Sequence, residues 1–251
     1  MSKNYNNPNC CSTDSTQQQE HSPPFFKERT DRTNYLFIRL CYLLFDLVAL
    51  VPLFLASIIS RFIPKKIDVG LGATPIINSI HHKKCFEKYG YTCESYVDSN
   101  WGQTEEFDIK AYDWLPSFLR PFLPYTLFIW QIYRYKIIFT YFSGASLRWT
   151  TLLVYLEPIL LKVAGVRIVM LAFGSDVNDL TRTSNLNYVN SMSRDYPDFR
   201  FNRKKISKLI DTYTCWADYV LSGCDWVDYM YYWDQLMLSH FAVDINETIE
   251  A

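Results

Sequence analysis

A chain of 251 residues is long enough for one domain of ordinary size with additions, and a formal net charge of −1 removes any global electrostatic case for nucleic acid as a partner. Seven cysteines, an odd number without a Cys-x-x-Cys pair, argue against a disulfide framework or a structural zinc site and fit a reducing compartment. Of the four histidines, His81 and His82 are adjacent rather than a helical turn apart, so no metal site is expected.

Residues 1–33 are rich in Asn, Ser, Thr, Gln and charge, with almost no aliphatic side chains. They bury too little apolar surface to offset their ordering entropy, so a disordered polar tail is expected. No short apolar run sits near Met1, which argues against a secretory signal. Cys10-Cys11 is open to acylation but reads more simply as two unmodified thiols.

Residues 34–64 are the most apolar part of the chain. The run from Leu47 to Ser60 has no charge, yet alone it falls short of the roughly 20 residues that span a bilayer. Accepting Asp46 extends it to Leu40, at an insertion cost of about 3 kcal/mol for a carboxylate in hydrocarbon. Arg39 and Arg61 bracket the run and can snorkel to an interface, and Pro52 predicts a kink. Three readings stay open: a spanning helix, a re-entrant or interfacial helix, and a helix packed on the protein. Membrane association is the expectation, with the helix projecting from the following domain and its deletion releasing the chain from membranes.

From residue 65 to 251 the pattern becomes β-α alternation. Ile67 to Gly72 is a short strand ending in glycine, and Pro75 opens a helix that Gly90 stops at about Tyr89. Residues 92–97 are strand-like, 121–132 an apolar helix, 135–141 a buried strand and 151–163 a second apolar helix. Residues 167–173 are the clearest strand, 202–216 a helix and 219–222 a last short strand. This order predicts an α/β fold with a Rossmann-like, mostly parallel sheet covered on both faces.

In such sheets, ligands bind beyond the carboxyl ends of the strands, beside helix N-termini. Three segments fall there. Gly70-x-Gly72-x-x-Pro75 resembles the start of a dinucleotide fingerprint, but proline stands where the third glycine belongs, which weakens a nicotinamide-cofactor reading. Phe142-Ser143-Gly144-Ala145-Ser146 combines a permissive glycine with two hydroxyls. Gly174-Ser175-Asp176 follows the strongest strand; Ser175 or Asp176 can cap a following helix, or Asp176 can act as a base or hold a hydroxyl. Each of the three also reads as a plain turn.

Taken in order, these segments, the Phe173-Gly174-Ser175-Asp176-Val177 loop, the Ala217-to-Ser222 strand and the Phe241-Ala242-Val243-Asp244 stretch resemble the amino-terminal half of GT-B glycosyltransferases of the family 4 (group 1) type, over roughly residues 66–246. The resemblance implies a single GT-B half: an acceptor-binding Rossmann-like domain at 65–251 that faces a second α/β domain holding a nucleotide-sugar donor. It implies no cofactor. Substrate contacts would come from Gly72, Ala73, Thr74, Tyr141, Ser143, Gly144, Gly174, Ser175 and Asp176, with Gly72 and Gly174 lining the interdomain cleft. No catalytic residue is assigned. Thr140 and Tyr141 stand where family members often carry a histidine, and neither replaces an imidazole as a base near neutral pH. No donor-binding half follows within the 251 residues, so the expected partners are a separate donor-binding domain or subunit and a membrane, with the soluble domain facing the cytoplasm. A truncated inactive transferase and a membrane-tethered binding or scaffold protein are the competing expectations.

Overall fold

The computed structural model describes residues 32–100, 106–223 and 226–237, with side chains from Leu40 onward. The expected disordered tail up to residue 31 and the Phe241-to-Asp244 stretch lie outside the described residues.

The described chain begins with helix α1 (Arg32–Ser60), which runs through Pro52 without ending. It continues as β1 (Ile67–Leu71), α2 (Asn78–Lys88), β2 (Cys93–Val97) and β3 (Ile109–Lys110). After 3-10 turns at Ala111–Asp113 and Ser117–Phe122 come α3 (Leu123–Arg134), β4 (Tyr135–Tyr141), α4 (Leu153–Val163) and β5 (Arg167–Leu171). Helices α5 (Leu186–Asp195) and α6 (Pro197–Trp216) precede β6 (Tyr219–Gly223) and β7 (Gln235–Met237).

The seven strands form one sheet in the order β3-β2-β1-β4-β5-β6-β7, and every pairing is parallel. The chain builds outward from β1 to β3, then returns across the sheet to β4. That reversal leaves a topological switch point between β1 and β4. Leu71 pairs with Phe139 and Tyr141 with Leu171, so the chain leaves the three central strands at nearly one level. The expected strands at β1, β2, β4, β5 and β6 are all present, β4 at its expected bounds. Tyr89 ends α2, and Gly90 adopts φ +85° behind it, a left-handed stop.

One face of the sheet carries the main core. Leu53 of α1, Leu127 and Phe128 of α3, Leu161 of α4 and Tyr213 of α6 close over Ile138 and Ile168. On the other face α2 places Phe86 against Val69, Leu71 and Phe139.

Helix α1 does not project from the domain; it packs along α3 and α4. Its buried stripe is Asp46, Leu53, Ser57 and Ser60, spaced by whole helical turns. Polar anchors fix both ends. Asp46 accepts from Tyr125 Oη at 2.8 Å, and Ser60 Oγ donates to the Ile132 carbonyl at 2.6 Å. Beyond the helix, Lys65 Nζ donates to the Ala164 carbonyl at 2.8 Å. Asp46 therefore meets the domain rather than hydrocarbon, which removes the insertion cost that the apolar run alone suggests. Window Leu40–Ser60 remains long and apolar enough to cross a membrane.

Candidate functional site

The carboxyl edge of the sheet gathers the loops after β1, β4 and β5. At the switch point Thr74 Oγ1 lies 3.4 Å from Ser143 Oγ. Thr74 also accepts from Arg148 Nη1 at 3.0 Å. Arg148 donates from Nε to Asp98 Oδ2 at 2.7 Å, pairs through Nη2 with Asp98 Oδ1, and reaches Ser99 Oγ at 2.9 Å. Trp149 Nε1 donates to the same carboxylate at 3.0 Å, and the Arg148 guanidinium lies 4.7 Å from the centre of the indole. This cluster joins the ends of β1, β2 and β4. Arg148 and Asp98 are both buried, and a buried pair holds its geometry only when its remaining donors and lone pairs are met, as they are here.

Beside it, Tyr141 Oη is 3.2 Å from Ser79 Oγ, and burial pushes the phenol up to about 12. Its ring meets Phe173 edge-on at 5.2 Å. Gly144 has φ +105°, and a Cβ there would sit 3.0 Å from Arg148 Cβ, so the tight β4 turn requires glycine.

Asp176 is buried, and its carboxylate accepts three backbone N–H groups at 3.0 Å: Phe142, Phe173 and Gly174. It thereby clasps the loop after β4 to the loop after β5. Burial raises its pKa to about 7 even though these donors pull the other way. Neither Ser175 nor Asp176 caps a helix, because α5 begins ten residues later at Leu186 behind the Asn185 side chain, which accepts from Tyr188 N at 3.1 Å. Gly174 adopts φ +120° with the Trp226 indole 2.7 Å from where a Cβ would stand. A Cβ on Gly72 would fall 2.2 Å from the Tyr96 carbonyl. Both glycines back onto protein, so close packing accounts for them without a ligand. Pro75 precedes α2 by three residues rather than opening it.

The structure thus brings Gly72, Ala73, Thr74, Tyr141, Ser143 and Gly144 to the switch point and joins Gly174 and Asp176 to them through the Phe142 clasp. Of the nine, Ser175 is exposed and Ser143 half-buried; the rest are buried.

Sequence reasoning missed what holds the β4–α4 loop. Glu157 of α4 accepts from Ala145 N at 3.0 Å, Leu147 N at 2.9 Å and Tyr213 Oη at 2.7 Å. Burial raises its pKa to about 7. Gln131 Oε1 of α3 accepts from Ser146 Oγ at 2.6 Å and Tyr96 Oη at 2.8 Å. Asp46 Oδ2 of α1 accepts from Thr151 N at 2.9 Å, Thr151 Oγ1 at 2.7 Å and Leu152 N at 2.7 Å, fixing the two residues of the loop that lead into α4. Each of these three polar residues stands in an otherwise apolar helical run. That was the available signal, since a polar group on a buried helix face is almost always hydrogen-bonded.

A hollow of about 460 Å³ opens away from these loops, at the amino-terminal end of β6, among Thr214, Cys215, Asp218, Tyr231 and Asp234. Its carboxylates are spent on structure: Asp218 accepts from Ile168 N at 2.7 Å and pairs with Lys162, and Asp234 accepts from Val220 N at 2.8 Å. Among the described residues no group of three His, Cys, Asp or Glu is placed to hold a metal ion.

Fold and site define an α/β protein with a Rossmann-like, all-parallel sheet and one apolar amino-terminal helix. No protein-family model, no curated protein and no solved structure matches the chain.

Proposed function

We propose that the chain is the acceptor-binding half of a membrane-associated glycosyltransferase, working with a separate donor-binding domain or subunit that holds the nucleotide-sugar. The observation that carries this reading is the meeting of the loops after β1, β4 and β5 at the switch point, where open parallel sheets take their ligands. Groups suited to a sugar stand there: the Ser143 hydroxyl and the part-exposed Trp149 indole, anchored by Asp98, with Ser175 exposed on the loop after β5. The proposed catalytic base comes from the partner, because Asp176 is committed to three backbone N–H groups and Tyr141 holds its proton at neutral pH.

A second reading, a membrane-tethered binding module without chemistry, is favoured by the same engagement of Asp176 and by the Arg148–Asp98 pair. One experiment separates them. The chain is isolated from membranes with whatever it retains, identified by mass spectrometry, and assayed against a panel of nucleotide-sugars. The transferase reading expects a donor-binding partner and transfer only in its presence. Turnover by the chain alone, abolished by Asp176→Asn with the fold intact, would overturn the assignment of chemistry to a partner. A retained partner with no donor-binding domain and no transfer would favour the binding module.

A further inference from the structure

We infer that α1 lies flat in the headgroup region of an anionic membrane, with its Asp46–Ser60 stripe on the domain and its opposite face in the acyl boundary. The inference rests on the membrane part of the function proposed above and not on its sugar chemistry.

The clamped length of α1 decides between lying and crossing. From Asp46 to Ser60 the helix is held on α3 and α4, about 21 Å at 1.5 Å per residue. Its Asp46 end is bonded to the loop at Thr151 and Leu152, and Lys65 to the Ala164 turn. A helix crossing over Leu40–Ser60 would carry the Thr151–Leu152 loop to membrane depth, where irregular backbone facing lipid is not tolerated.

From Leu40 to Ser60 the outer face is apolar. Val48 is 75% exposed and Val51 63%, and just past the helix Phe62 is 81% exposed. The patch continues onto the Ser117–Phe122 turn: Phe45 meets Phe122 edge-on at 5.9 Å, and Phe118 is 77% exposed. A contiguous apolar surface of this kind marks an interaction site. Its charge chooses the occupant. Arg61, Lys66 and Arg120 are exposed around it. The one acid in residues 32–66, Asp46, points into the domain, and residues 117–122 contain none. An apolar face whose own two segments expose cations and no acid complements an anionic lipid surface.

The test uses the full chain and two kinds of vesicle, pure phosphatidylcholine and equal parts phosphatidylcholine and phosphatidylglycerol. The expected result is flotation with the anionic vesicles, weakened by salt. Val48→Asp and Val51→Asp, which touch no domain contact, should each weaken it about tenfold or more. Arg61→Glu with Lys66→Glu should weaken it about fivefold per residue, with near-ultraviolet circular dichroism unchanged. On intact cell membranes, an impermeant maleimide should treat Cys10 and Cys11 like the exposed Cys85 and Cys215, all modified or all protected. Opposite protection of the two pairs would overturn the flat orientation while leaving membrane association standing. A chain that ignores both vesicles would overturn both, and dimerisation lost in Val51→Asp would assign the face to a second copy.

Discussion

Asp176 shows how one side chain can look catalytic in sequence and prove structural in place. Asp176→Ala leaves three buried N–H groups without an acceptor, and the expected loss is about 2–4 kcal/mol in a urea or thermal unfolding experiment. Gly174→Val should also unfold the β5 loop, through its φ of +120° and the Trp226 contact, so loss of activity in that variant reports folding rather than ligand approach. Asp176 and Glu157 set a pH signature as well. Both have folded pKa values near 7, above the ordinary carboxyl values of 3.8 and 4.5. The folded chain thus binds protons that the unfolded chain has released. Their stabilisation is complete below the unfolded values and is lost as pH rises through about 7. Asp108, where burial is outweighed by Lys83 together with the Ser95 N–H and hydroxyl, and Asp211, held low by Arg182, act in the other direction, and their contribution fades only in acid. Urea midpoints should accordingly be higher near pH 5 than near pH 8, and Glu157→Gln should flatten that difference.

Among the elements, those that bury a face were legible and those that do not were not. Strand β4 and the strands beside it declare themselves by continuous apolar runs. Helix α5 is only ten residues long and fully buries none of them, so its short Leu186–Val189–Met192 face was passed over, and β3 and β7 are only two and three residues long. In the site, the loops after β1, β4 and β5 were read from glycine and strand ends. The Arg148–Asp98–Trp149 cluster was not, because its members lie some fifty residues apart and meet only through the strand order. For α1, composition revealed the apolar run but not which side faced the protein, since that depends on Tyr125, Thr151 and Leu152. Asp46→Ala leaves the Thr151 and Leu152 amides and the Tyr125 hydroxyl without their acceptor and should cost about 1–3 kcal/mol. Hydrogen exchange should report it first at the amides of Thr151 and Leu152.

At the scale of the whole molecule, α1 is part of the folded body. Leu53 belongs to the main core, and deleting residues 34–64 would bare the α3–α4 surface beneath it. The expected outcome of that deletion is an aggregating or partly unfolded chain, seen as dye binding and a lowered melting temperature, rather than a soluble domain. Release from membranes is better tested by the outward substitutions. Leu53→Ala should destabilise the chain by about 2–5 kcal/mol, whereas Val51→Asp on the opposite side of the helix should leave the melting temperature nearly unchanged.

Asp46 belongs at once to the outward-facing helix and to the loop that closes the ligand edge of the sheet. Its four accepted hydrogen bonds make α1 and the start of α4 one mechanical body. A tilt of α1 that drew the carboxylate from Thr151 and Leu152 would leave those two amides without their acceptor and loosen the loop that carries Ser143. If, as proposed, a membrane holds α1 and an acceptor occupies the loop, the two would act on one equilibrium. Whatever affinity the first adds to the second, the second returns to the first by the same factor. On that proposal the apolar face would be an input to the site, read through the Asp46 carboxylate.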